Sequence, residues 1–372
     1  MSLFAEPLAL LSRLVSTPSE SGREQALQGL LLAELARAGL SAEPIGDGLV
    51  VRIGGPGPRL LLVSHLDTVP VGQGWSGDPY DGTWQAQPDG DRRLVARGAN
   101  DAKASGAAML AALCALAPRG AALGGELLVA LNATEETNNQ GMRDLLAAIG
   151  PPDGAAVGEP TGLEVVRAQS GLVVIAAHFA GQSCHAAHAG RVPHHNALLS
   201  AARALAALPD VLFLEGQHPL LGRSSLVPTV LEAGQRHNVV PDRARAVFDG
   251  RLAPPHGGPQ ALALLAERLP GARLELCSER LKPFETDANH PLVLTALEAA
   301  GRSRAIGSNT LSDMALLQGV PAVKVGPGET VRSHTADEFV LASEVLAGAR
   351  FYTRFAERCF EALRQPAALA AR

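Results

Sequence analysis

The sequence predicts an α/β domain built on a largely parallel sheet and interrupted by a smaller α+β insert. Three observations carry that prediction. In the first half, short apolar runs such as LLLVSH (60–65) alternate with helix-like segments, as strands buried on both faces and joined by helices do. A middle stretch of about 110 residues breaks that rhythm, and the alternation resumes after Lys282–Pro283. The 372 residues exceed one ordinary core, so two domains are expected.

Residues 5–39 carry helical spacing, with SESGREQ (19–25) as a turn and helix start. Apolar runs follow at LVVRI (49–53), LLLVSH (60–65) and RLVARG (93–98), then an alanine-rich helix over 103–117. ELLVALNA (126–133), a helix over 139–148 and AAVGEP (155–160) complete the first part. Residues 165–182 read as two strands, followed by a helix over 196–207. Strands over 224–234 and 243–252 and a helix over 259–269 give the insert its α+β character. A helix over 291–301, a strand AVKVG (322–326) and a C-terminal helix from 342 return to the first pattern. The expected boundaries are thus 1–167 and 284–372 for one domain and 168–283 for the other. There is no internal repeat, and LAPPHGGP (252–259) is a loop within the insert.

Hydrophobic residues at 47% against 19% charged indicate a globular chain. A net charge of −5 leaves no basic excess to neutralise phosphates, so no nucleic-acid partner is expected. Positive charge is nearly all arginine, with lysine only at 103, 282 and 324, which suits carboxylate recognition. The N-terminus lacks a basic start and an unbroken apolar run, and no run of about 18 apolar residues follows, so neither signal peptide nor membrane span is expected. Cys114, Cys184, Cys277 and Cys359 are widely spaced, as in reduced thiols of a cytoplasmic protein.

The run LLLVSHLDTVP (60–70) ends on His65 and Asp67, two positions apart. Such a pair shares one face of an extended chain and is either a polar cap or the first piece of a site. Asp101, the tandem Glu135–Glu136 and Glu159 also fall just past apolar runs. In open parallel sheets ligands bind beyond the carboxyl ends of the strands. Helix capping explains single acids there, but not four with a histidine. Carboxylates gathered at one edge repel, and must take up protons or bind cations. His334 follows the strand AVKVG. His65, Asp101, Glu136, Glu159 and His334 offer two nitrogens and three carboxylates, a set suited to two zinc ions sharing one carboxylate.

Those residues lie in motifs that resemble the M20 metallopeptidases and amidohydrolases, the group of acetylornithine deacetylase and succinyl-diaminopimelate desuccinylase. The motifs are SHLDTVP (64–70), RGANDAKASGAA (97–108), TEETNNQG (134–141), GEPTG (158–162), GQSCHAAHAG (181–190), HNVVPD (237–242) and GPGETVRSHTADEF (326–339). They stand in the family's order along nearly the whole chain. The resemblance implies a zinc-hydrolase catalytic domain with an inserted lid used for homodimerisation. It implies two Zn2+, with Co2+ or Mn2+ as substitutes: His65 and Glu159 on one, Glu136 and His334 on the other, Asp101 between them. Glu135 matches the general base and Asp67 the residue that orients His65. His185 matches an oxyanion donor contributed across the dimer, and Asn238 and Arg251 match substrate-binding residues of the lid. Arg251 serves equally well in a structural ion pair.

Departures from the common pattern are Ala104 in place of glycine and Thr137–Asn138 after the acidic pair. Glu159, where peptidase-like members carry aspartate, favours the deacylase branch. GEPTGLEVVRAQSG (158–171) and TLSDMALL (310–317) look most like acetylornithine deacetylases. The expected reaction is hydrolysis of N2-acetyl-L-ornithine to L-ornithine and acetate, in arginine biosynthesis. The alternatives are the same chemistry on acetylcitrulline, acetyllysine, carrier-linked lysine or ornithine, or succinyl-diaminopimelate. A non-catalytic peptide-binding relative is the alternative of another class. No G-x-S-x-G supports a serine hydrolase, and the G-x-G-x-x-G fingerprint of a dinucleotide enzyme after a strand is lacking.

Overall fold

In the computed structural model, which describes Phe4 and residues 6–364, the chain divides into two compact units. One comprises residues 1–167, 286–306 and 312–372; the other comprises 168–285 and 307–311. The short segment 307–311 belongs with the second unit, a detail that periodicity does not carry.

The first unit is organised by a sheet whose centre is parallel. Strands Glu126–Asn132, Arg59–His65, Gly154–Val157 and Ala322–Lys324 lie side by side in that order, all parallel. Their residues are buried almost throughout, as expected of strands covered on both faces. Gly48–Gly54 joins antiparallel to Glu126–Asn132, and Ala42–Ile45 pairs with it at the edge. Parallel strands end on a common edge, and the register sets His65 opposite Asn132 and Val157 opposite Lys324. The chain beyond each of these residues therefore emerges on the same side.

Helix Ala104–Leu116 is buried at all but two of its positions, and it packs against helix Ala342–Arg364, which turns Val345, Phe351, Tyr352, Phe355 and Phe360 inward. Small residues let these layers approach. A Cβ at Gly158 would lie 2.6 Å from Met109 Cε and 2.8 Å from Ser105 Cβ, so only glycine fits. The core is tight enough that Leu62→Ala should cost about 2–5 kcal/mol; Leu62 has no exposed surface. By length and composition the helical stretch 99–122 is apolar enough to cross a membrane, against the expectation of no such run. Its burial within this unit accounts for that apolarity.

One expectation is corrected here. The run before Asp101 does not belong to the parallel sheet: Arg92–Val95 pairs antiparallel with Trp84–Ala86 and Phe339–Leu341 in a separate three-stranded sheet. Asp101 therefore arrives from a different layer, in the turn that leads into helix Ala104–Leu116.

The second unit holds a five-stranded antiparallel sheet, ordered Leu212–Phe213, Ser225–Ala233, Arg243–Leu252, Gly171–Ala180, Arg273–Leu281. Burial alternates along Arg243–Leu252, the period of a sheet with one face packed and one solvated. Helices Ala197–Ala206 and Gly258–Arg268 cover the packed face, with Phe248, Ile175, Leu226, Ala201 and Leu265 in its core. Asn196 caps the first helix by accepting from the amides of Leu198 and Leu199.

Candidate active site

The carboxyl edge of the parallel strands gathers six ionisable side chains within the first unit. His65 is the last residue of its strand and only 1% exposed; its Nε2 faces Asp101 Oδ1 at 3.3 Å and Glu159 Oε1 at 4.0 Å. His334 Nε2 lies 3.1 Å from Glu136 and 3.6 Å from Asp101 Oδ2. Asp101 thus stands between the histidines, one oxygen toward each. Three ligand atoms lie within 4.8 Å of one another in His65–Asp101–Glu136 and again in His65–Glu135–Glu159. Glu135 is thereby within ligand reach as well, a role the sequence assigned to Glu136 alone of that pair.

His65 Nε2 is buried and, among the described residues, makes no hydrogen bond of good geometry, its nearest polar neighbour being Asp101 Oδ1 at 3.3 Å. Burying such a nitrogen costs about 1–3 kcal/mol unless something binds it. With carboxylate oxygens aimed at the same space, the donor set fits a divalent cation of the type that nitrogen and oxygen ligands hold.

Electrostatics at this edge are those of crowded anions. Burial, then the charge of Asp101, pushes Glu159 up to about 8. Burial, then Glu159, raises Glu135 well above the usual carboxylate range, with Asp313 and Glu136 adding to it. Burial works against a charged His65 ring, yet Asp101, Asp67 and Glu159 raise its proton affinity well above the ordinary value. Contact with His65 outweighs burial at Asp101 and lowers it. Crowding of this kind is relieved by protons or by cations, which compete for the same groups.

Asp67 lies past the strand end and is fully buried. The ring nitrogen His65 Nδ1 contacts its backbone carbonyl at 2.9 Å, whereas the carboxylate Oδ1 stands off at 3.5 Å. The carboxylate has better donors: the amides of Glu135 (3.0 Å) and Glu136 (3.1 Å) and the Ser21 hydroxyl (2.6 Å). It therefore orients the acidic pair as much as the histidine. Glu338 acts similarly on the other wall. Its Oε1 accepts the amides of Asn100 and Asp101 at 2.9 Å each, and its Oε2 pairs with Arg97. Burial, then Asp101, pushes Glu338 up to about 7. Lys324 is buried beside the same edge; burial draws it down to about 8 against the pull of Glu159, Glu135 and Asp101.

Sequence reasoning passed over Ser21, Glu338, Lys324 and Asp313, although each lies within a stretch it had marked. Their partners are distant in the chain, and no local period encodes such pairings. His185, Asn238 and Arg251 belong to the second unit. His185 and Asn238 sit on loops joined by the amide of Ala186 donating to the Asn238 carbonyl and by a bridge between His185 and Val239. His185 is exposed, and its Nδ1 accepts from the Ala187 amide. Arg251 is paired with Asp249 at 2.8 Å, the structural ion pair that the sequence left open.

Residues 61–358 match the model of peptidase family M20/M25/M40. A succinyl-diaminopimelate desuccinylase of Methylobacterium sp. (strain 4-46) is 30% identical, with 97% of this chain and 98% of that protein covered. An acetylornithine deacetylase of Myxococcus xanthus is 29% identical over 91% of this chain and 93% of its own. Among solved structures, the M20 family metallo-carboxypeptidase Sso-CP2 from Sulfolobus solfataricus superposes with a TM-score of 0.72 at 19% identity, covering 96% of this chain and 99% of that one.

Proposed function

The chain belongs to peptidase family M20/M25/M40, hydrolases of amide bonds, and on that premise we propose that it is a dinuclear zinc deacylase of N2-acetyl-L-ornithine. The products are L-ornithine and acetate, as in arginine biosynthesis. The observation that supports it most is the placement of Asp101 between His65 and His334, with a buried imidazole nitrogen left unpartnered. In this reading His65 and Glu159 would hold one cation, Glu136 and His334 the other, and Asp101 would serve both. When bound, the cations supply positive charge that acidifies water toward a pKa of about 7 and offsets negative charge growing on the amide oxygen.

The remaining work falls to the chain's own groups. Glu135 takes a proton from the attacking water, whose oxygen bonds to the acyl carbon. As the carbon–nitrogen bond breaks, Glu135 returns the proton to the departing amine. Asp67 holds the Glu135 and Glu136 amides, so base and ligand keep a fixed spacing. His185, across a homodimer formed by the second unit, is assigned to the oxyanion, and Asn238 with Arg251 to the substrate carboxylate. Releasing Arg251 for that task means parting it from Asp249.

A second reading, removal of succinate from N-succinyl-diaminopimelate, is favoured by the desuccinylase at 30% identity. Steady-state rates on acetylornithine, acetylcitrulline, acetyllysine and succinyl-diaminopimelate separate the two. Fast turnover of the succinyl substrate beside negligible acetylornithine turnover replaces the first reading with the second. A purified protein that takes up neither zinc, cobalt nor manganese ends both.

A further inference from the structure

We infer that Asp313 is a positioning residue for the turn that carries Glu135 and Glu136. The motif TLSDMALL has no part in the chemistry above, yet its aspartate is 2% exposed and grips that turn at both ends. Asn132 Nδ2 donates to Asp313 Oδ2 at 2.5 Å, and Asn139 Nδ2 donates to Oδ1 at 2.9 Å. Asn132 closes the strand before the acidic pair, and Asn139 stands just before helix Gln140–Ile149. Both asparagines are buried.

The turn needs such a clamp. Thr134 and Asn139 both adopt left-handed backbone, with φ of 59° and 55°, conformations that cost a non-glycine residue about 1–3 kcal/mol unless neighbours hold them. Between them the Thr134 carbonyl accepts the amides of Asn138 at 3.1 Å and Asn139 at 2.7 Å, which folds the segment tightly. Asp67 holds the tip, through the amides of Glu135 and Glu136, and Asp313 holds the base.

The clamp also has to be anionic. A carboxylate presents two acceptor oxygens and serves both asparagines at once, whereas an amide presents one. Neutral donors repay only part of the cost of burying an anion, so loop closure alone is a poor reason for the charge. Fixing the aim of two working carboxylates is a better one, because a displacement of about 1 Å at such groups costs about 100-fold in rate.

The kinetic consequence rests on the role proposed for Glu135, and the spectroscopic one on Glu136 as a cation ligand. Asp313→Asn is loaded with Co2+ and compared with the parent by metal content, visible absorption, kcat and KM. The expected result is unchanged cobalt content, an altered visible spectrum from the displaced Glu136, and kcat lowered about 10–100-fold with KM within about twofold. The exchange variant Asn132→Asp/Asp313→Asn restores the 132–313 bond with donor and acceptor reversed and leaves an oxygen at position 313 to accept from Asn139 as before, and should recover the parent spectrum and at least about tenfold of the lost kcat.

Parent-like spectrum and kcat in Asp313→Asn overturn the inference, as does a loss that the exchange leaves in place. Should Asp313→Asn not fold, the exchange variant decides alone: a parent-like cobalt spectrum supports the clamp and an altered one refutes it. If the parent turns over none of the N-acyl amino acids, the proposed function fails while the spectrum still judges Asp313. A parent that binds no cobalt removes both.

Discussion

The two units treat their polar residues in opposite ways. In the first, two buried carboxylates beside the cluster are anchored by bonds that reach across the chain: Asp67 to Ser21, Glu135 and Glu136, and Glu338 to Arg97, Asn100 and Asp101. In the second, His185 and Asn238 are exposed on loops, and Arg251 is tied only to Asp249. Val230, Leu231, Leu198 and Leu199 are exposed there too. The contrast teaches where tolerance lies. Most of the groups proposed to meet a cation are held by burial, at the expense of crowded charge, with His334 the exposed exception. Groups proposed to meet the substrate are left in reach of whatever binds.

Substitutions test that contrast, and the largest effects belong to the buried unit. Asp101→Ala should lose metal and with it all measurable turnover, whereas Glu135→Ala should keep its metal and lose about 10³-fold in kcat; metal analysis beside steady-state rates separates them. Equal metal content and activity in both would contradict the assigned roles. His185→Ala should leave metal content intact and lower kcat about 100-fold, the usual cost of one oxyanion donor. A smaller effect is expected of Arg251→Ala, a rise in KM of about tenfold with little change in kcat.

Metal removal sharpens the comparison by pH. Without metal, Glu159 with its value near 8 and His65 with its raised one favour the protonated fold. That fold loses stability as pH rises, since the unfolded chain has already released those protons by about pH 7. Lys103, drawn down by burial to about 7, works in the opposite direction but is common to both forms and cancels. The rise in Tm on adding metal should therefore be larger at about pH 8.5 than at about pH 6, by roughly 2–4 °C per kcal/mol. An equal rise at both would mean that protons do not compete for the cluster.

Much of this was legible in the chain. Apolar runs gave the central strands because parallel strands buried on both faces leave a continuous signal, as in Arg59–His65. Acids and histidines just past such runs converge because parallel strands share an edge. Strand Arg92–Val95 misled, since four residues do not say which sheet they join. Asp313, Glu338 and Ser21 were illegible for a different reason: each acts on a residue far away in sequence, and such contacts exist only after folding. Arg251 was readable after all. Asp249 lies two positions earlier on a strand, hence on the same face.

The two histidines that flank Asp101 come from opposite ends of the first unit's discontinuous chain, with the entire 168–285 segment between them. At about 5–20 residues per second, tens of seconds of synthesis separate the emergence of His65 from that of His334. The groups proposed for one cation, His65, Asp101 and Glu159, are thus synthesised long before His334, proposed for the other. On the proposed assignment, loading of the full cation pair would wait for His334 to be made.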